Sequence, residues 1–237
     1  GDDLSMGKLL PLFVLVSGAA LTFAFRQPMR TEERINLDLI PPPRGIQRFT
    51  FGYDEVMADS FWLRLIQDFH ICENAKDGIA HTADRKSTEP MCRQGWVYKM
   101  LDAITDLSPL WRLPYATGAT MLSIVVDDRE GATQLFDKGL KQFPFDYNLN
   151  YRAAYHYLWE EKQPEKAAPL LLRAAQAGGP AWMYSLAGKL YSEEGKLDLA
   201  IEVMEQGLKD RKNEKSADRI EKRLTELKAR REALKKP

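Results

Sequence analysis

The sequence has no net charge to offer a partner, because 34 Lys and Arg residues are balanced by 34 Asp and Glu residues. A balanced chain lacks both the basic footprint of nucleic-acid recognition and the field that would gather an acidic substrate. Cysteine occurs twice and histidine three times, which leaves little material for a metal cluster or a histidine-based catalytic set. No G-x-S-x-G turn, Walker A loop, HExxH helix or dinucleotide fingerprint is present. These absences argue against an enzyme, a cofactor, a small-molecule substrate and a dedicated metal site. The period-two alternation of half-buried strands is missing as well, so the expected fold is all-α.

A hydrophobic content of 44% supports a folded protein. Charge is neutral only in sum. Gly207 to Pro237 carries twelve Lys/Arg against six Asp/Glu, so the tail is basic and the rest of the chain is acidic by the same amount.

One stretch is long and apolar. Leu9 to Phe25, LLPLFVLVSGAALTFAF, is 17 uncharged residues between Lys8 and Arg26, at the short end for crossing a hydrocarbon layer of about 30 Å. Residues 9–25 are read as an uncleaved transmembrane signal-anchor behind an N-terminal flank, 1–8. Gly18 with Ala20, or Thr22 with Ala24, would be the small pair of a cleavable signal peptide, but neither pair makes a persuasive cut.

Orientation draws opposing arguments. Arg26, Arg30 and Arg34 follow the segment and Lys8 alone precedes it, which favours a cytoplasmic body. Gly1 to Ser5 stand before Met6, so the counted flank need not be native. The anchor's N-terminal position, and two cysteines able to form a disulfide, favour export. The expectation is a single-pass protein of a bacterial inner membrane with its repeats in the periplasm.

Residues 26–50 contain Pro28 and Pro41-Pro42-Pro43, whose fixed φ and missing N–H groups exclude helix and favour an extended linker. In 51–71, Val56, Phe61, Leu63, Leu65, Ile66 and Phe69 form a broad apolar surface at helical spacing. This predicts a helix from Asp54 to Ile71 and a second from Arg93 to Leu107. Together they make a degenerate helical repeat over 51–109, split by a polar inserted loop at 73–91.

Self-similarity is the strongest signal. Segments beginning at Leu113, Leu149 and Ala181 align on their turns across 110–212. The third, AWMYSLAGKLYSEEGKLDLAIEVMEQGLKD, puts Tyr184, Gly188, Tyr191, Gly195, Ala200 and Gly207 at places four, eight, eleven, fifteen, twenty and twenty-seven. Small residues at eight, twenty and twenty-seven let two antiparallel helices approach closely, while aromatics at four and eleven fill the flanks. The first segment supplies Thr120, Ala132, Phe136, Gly139 and Pro144. The second supplies Ala168, Leu172, Ala175 and Pro180, but has His156 at place eight, where Ala153 and Ala154 suggest a shifted contact. Residues 213–237 form a basic C-terminal helix whose Ile220, Leu224, Leu227 and Leu234 give one apolar seam, suited to capping the array.

This pattern resembles the tetratricopeptide (TPR) repeat. The stretch FGYDEVMADSFWLRLIQDF is similar to the opening of membrane-anchored bacterial TPR proteins. The resemblance implies a TPR-like α-solenoid of antiparallel helix pairs, with a C-terminal capping helix and one transmembrane helix in front. It also implies a groove on the first helix of each pair, at places two, five, nine and twelve, that holds a protein partner. The groove candidates there are Met121, Asn150, Tyr157, Trp182, Ser185 and Lys189, of which Tyr157 and Trp182 offer anchor-like area and Asn150 and Lys189 could hold a peptide backbone or carboxylate.

Cys72 and Cys92 flank the inserted loop and fall at the same end of a helical hairpin. A disulfide there would contribute roughly 3 kcal/mol by closing the loop. Two free thiols remain an alternative, as does a metal site drawing on His70, Cys72, His81 and Cys92, although their spacing fits no compact motif. The functional expectation is a tethered scaffold or adaptor, serving as assembly factor or accessory subunit of an envelope complex. The alternatives are a structural subunit held by its anchor helix and a redox- or metal-sensing module.

Overall fold

A computed structural model of the chain describes residues 17–18, 40–74, 95–210 and 217–235, with backbone alone at 70–74 and 235. The chain divides into two compact units, Gly1–Asp38 and Leu39–Pro237. Of the first, Ser17 and Gly18 are described and are helical. The remainder of the expected membrane segment, and the Cys92 side of the expected disulfide, lie outside the described residues, as does the Cys72 side chain. Among the described residues no helix is long and apolar enough to cross a membrane.

Every regular element described in the second unit is helical. Pro41 to Pro43 are not helical, and a short 3-10 turn, Ile46–Phe49, follows them. Phe51 and Gly52 take left-handed conformations, with φ 51° and 90°, and turn the chain into helix α1, Asp54–Asn74. Glu73 and Asn74 therefore belong to the helix rather than to the polar loop assigned to them. Helix α2 is Trp96–Leu107, three residues shorter at its start than its apolar pattern suggests, because Gly95 at φ 76° stops it.

The two helices pack through Ala58 and Leu65 of α1 and Val97, Met100, Leu101 and Ile104 of α2. Such i, i+3, i+4 spacing makes one buried stripe. The opposite side of α1 is also apolar, with Val56, Leu63 and Ile66 exposed to solvent.

Three helix pairs follow. In the first, α3 (112–126) leads to α4, Arg129–Gln142; in the second, α5 (147–160) leads to α6, Pro164–Gln176; in the third, α7, Trp182–Glu193, leads to α8, Leu197–Asp210. The second helices α4 and α6 begin where Asp128 and Pro164 favour a helix start. Asp128 accepts a hydrogen bond from Gly131 N, as Asp146 does from Leu149 N ahead of α5, at 2.9 and 2.8 Å, caps worth about 1 kcal/mol each.

Helices α3 and α5 are not uniform. Pro114–Gly118 and Leu122–Val126 of α3, and His156–Glu160 of α5, are π-helical. An i→i+5 turn widens the helix and displaces the side chains that follow it. Both helices end in left-handed residues, Asp127 and Lys162. Beyond these, Asp128 N donates to Leu122 O at 2.9 Å and Gln163 N to Tyr157 O at 2.7 Å.

Close approach within the pairs rests on glycine. A Cβ on Gly139 would stand 2.8 Å from Tyr115 Cβ, and one on Gly207 would stand 2.7 Å from Tyr184 Cβ. In each case the second helix meets the aromatic of the first at its root.

Helix α9, Ala217–Lys235, packs on α8 and α7 and buries Ile220 and Leu224. Its Arg223 donates to Ser185 Oγ at 2.8 Å and its Lys228 pairs with Glu205 at 2.6 Å. In this way α9 stands beside α7 as the first helix of a further repeat would, and its charged outer side closes that end.

Candidate functional site

The first helices of successive repeats lie side by side, joined by contacts one repeat apart in sequence. Arg112 pairs with Asp146 at 2.7 Å, Arg152 donates to Thr120 Oγ1 at 3.3 Å, and Ser123 Oγ lies 2.8 Å from His156 Nδ1. Between α3 and α5 these contacts leave a cleft of about 300 Å³. Thr120, Ser123 and Ile124 form its α3 wall. Asn148, Tyr151, Arg152 and Tyr155 form the α5 wall, at the three- and four-residue steps of one helical face, with Tyr147 at its start. Phe136 and His156 complete it from below.

His156 joins three helices. Its Nδ1 meets Ser123 of α3, its Nε2 meets Thr133 Oγ1 of α4 at 2.8 Å, and its ring lies 5.3 Å from that of Phe136. Burial pushes the imidazole below its ordinary pKa, and Glu161, Glu160 and Asp137, which favour the charged form, do not reverse the shift. Each ring nitrogen has a hydroxyl that can donate or accept, so a neutral ring is satisfied in either tautomer.

Aromatic rings continue the α5 wall. Tyr147 and Tyr151 stack at 6.4 Å, Tyr151 meets Trp182 of α7 edge-on at 5.9 Å, and Tyr155 lies 6.5 Å from Trp159. Tyr155, Trp159 and Trp182 remain 43%, 54% and 39% exposed, so this is a surface with large apolar area still available. Arg152 is the one charged residue of the cleft wall, and no carboxylate among the described residues pairs with it.

The six residues predicted from the repeat places divide in two. Trp182 is in the aromatic row, Met121 is half-buried on α3, and Lys189 is exposed on α7, 3.6 Å from Glu193. Asn150, Tyr157 and Ser185 are buried instead. Asn150 Nδ2 donates to Pro144 O and Asp146 O and so ties down the turn before α5. Tyr157 donates to Asp137 Oδ1 at 2.6 Å beneath Lys166, and burial, then that hydrogen bond, raises its hydroxyl above the usual tyrosine range. Ser185 lies under α9.

The misplacement in α5 has a physical cause. Alignment on the well-matched second helix put the first helix's start at Leu149, whereas Asp146 caps it and the helix begins at Tyr147. The π turn at His156–Glu160, where an i→i+5 bond adds one residue, takes up part of the difference. Places two, five and nine, counted from Tyr147, are Asn148, Tyr151 and Tyr155, which line the cleft. The signal that could have found them is the Asp146 cap followed by aromatic and polar residues at i, i+3/i+4 and i+7.

No protein-family model matches the chain, and no curated protein matches it. Among solved structures, the MamA RS-1 ArsTM double mutant is 22% identical over 59% of this chain and 86% of its own, with a TM-score of 0.37. MamA 41-end from Desulfovibrio magneticus RS-1 is 23% identical over 58% of this chain and 88% of its own, with a TM-score of 0.36.

Proposed function

We propose that this chain is a membrane-tethered helical-repeat scaffold that holds a protein partner in a bacterial envelope, as assembly factor or accessory subunit of a membrane complex. The observation that carries the reading is the α3–α5 cleft with the exposed Tyr155, Trp159 and Trp182 beside it. Tyrosine and tryptophan supply large contact area at little cost in side-chain entropy and are over-represented among residues that dominate binding. The chain is read as a binding module, with His156 engaged by two hydroxyls in the packing of α3, α4 and α5.

A second reading has its own support. The apolar outer side of α1 is what a structural subunit would present to a larger assembly. The two separate on deletion of Leu9 to Phe25. For a tethered scaffold, the purified body keeps partner binding in solution and loses only membrane localisation. For a subunit held by its anchor, co-purification of the complex is abolished.

Export is tested by labelling intact cells with a membrane-impermeant maleimide. Labelling of Cys72 and Cys92 only after reduction is the expected result for a periplasmic body with a disulfide. Thiols that react only after lysis would place the repeats in the cytoplasm.

A further inference from the structure

We propose that the α3–α5 cleft takes an internal segment of the partner in which one acidic residue is flanked by apolar residues, its carboxylate meeting Arg152. The inference rests on the scaffold reading and narrows it to a chemical class of ligand. Three observations carry it.

The first is charge complementarity. Among the described residues, the cleft wall holds one cation and no acid. Arg152 is half-buried and is tethered to the neighbouring repeat through Thr120 Oγ1 at 3.3 Å. A guanidinium offers five donors in a planar fork, and one hydroxyl acceptor leaves most of that fork for a carboxylate. A half-buried cation also interacts with an anion in a lower effective dielectric than a surface lysine would.

The second is the order of side chains along α5. Arg152 stands between Tyr147 and Tyr151 on one side and Tyr155 and Trp159 on the other. An anion at Arg152 therefore sits in the middle of an aromatic row, with apolar surface in both directions. A C-terminal carboxylate would leave half of that row unused. An internal acidic residue puts its apolar neighbours on both halves.

The third is size. At about 300 Å³ the cleft is at the lower limit of small-molecule pockets and accommodates one or two side chains of a longer segment. Trp182 extends the apolar row onto α7, which suits a chain running on past the cleft.

The test is selection of a displayed random-peptide library, with both peptide ends fused, against the full chain in detergent, repeated with Arg152→Gln. The expected result is enrichment of an Asp or Glu flanked by apolar residues. A selected peptide should bind roughly ten- to a hundredfold more weakly to Arg152→Gln, the range for a lost charge-assisted hydrogen bond, and should weaken as salt rises. Tyr155→Ala should weaken the same peptide without changing its salt dependence. Apolar motifs without an acid, bound equally by Arg152→Gln, would overturn the inference and leave the scaffold reading standing. Failure to enrich any peptide that Tyr155→Ala binds more weakly would overturn both. Circular dichroism melts of the variants separate lost binding from lost folding.

Discussion

Gly207→Val lowers the melting temperature by about 3 to 10 °C, an expected loss of about 1 to 3 kcal/mol for overpacking in a domain of this size. The magnitude follows from where the new atoms would go. A Cβ at Gly207 meets Tyr184 Cβ at 2.7 Å and Cγ at 2.9 Å, and Tyr184 is fully buried with its hydroxyl on Asp210 at 2.7 Å. A contact at the root of an anchored ring cannot be relieved by a rotamer change, so α7 and α8 must separate. Helix propensity acts in the opposite direction, favouring alanine over glycine by about 1 kcal/mol. Gly207→Ala therefore gives the sharper comparison: it should still destabilise, though less than valine.

Gly139→Val should behave similarly against Tyr115, whose hydroxyl reaches Thr105 O and Pro109 O and is pushed up to about 12 by burial. Gly188→Ala is the milder comparison, because its nearest neighbour is Met204 Cε at 2.7 Å, the far end of a flexible chain, with Met204 Cγ at 3.0 Å and Ala200 O at 3.3 Å behind it. A thermal melt in which Gly207→Ala exceeds the parent would mean that the helices separate at little cost.

The second large effect concerns His156. Replacing it with alanine removes a ring that fills space against Phe136 and leaves Ser123 and Thr133 without their partner. Cavity formation and lost hydrogen bonds together predict a loss of about 2 to 4 kcal/mol, measured by urea denaturation.

The same residue sets a pH dependence. Its folded-state pKa is depressed by burial, while in the unfolded chain it returns to about 6.5. Well above that value neither state holds the proton and stability is complete. As pH falls through about 6.5 the unfolded state takes up a proton that the folded state refuses, so stability declines until the folded pKa is reached. The parent should therefore lose stability between neutral and mildly acidic pH, and His156→Gln should lose less. Parallel pH profiles for the two proteins would show that the ring carries no such linkage.

Much of the fold was legible in advance because helix packing leaves a spaced record. Gly207, Gly139, Ala200 and Ala132 are small where helices cross, and that spacing repeats. Residues 96–107 show a buried face at three- and four-residue steps, which any reading by period would find. The binding surface was less legible. Asn150 and Tyr157 look like groove residues only if α5 is counted from Leu149. Two residues of offset rotate a helix by more than half a turn, which carries Asn148, Tyr151 and Tyr155 outward and Asn150 and Tyr157 inward. The widened turns in α3 and α5 depend on how neighbouring helices close around Ser123, His156 and Thr133.

His156 shows the same limit at one residue. Its sequence neighbours offer neither partner, because Ser123 and Thr133 lie 33 and 23 residues away. Ser185 is similar, since its burial depends on Arg223 arriving from α9.

The sequence by itself determined that this chain is helical, that its helices come in closely packed pairs, and that a basic helix follows the third pair. Those properties depend on periodicity and on side-chain size at fixed spacing, which are local quantities. Only the tertiary structure decided which face of α5 meets solvent, that Arg152 has no carboxylate partner among the described residues of an aromatic cleft, and that α9 covers Ser185. Each of those depends on the rotation and approach of helices far apart in sequence, set by packing and hydrogen bonding across the repeats.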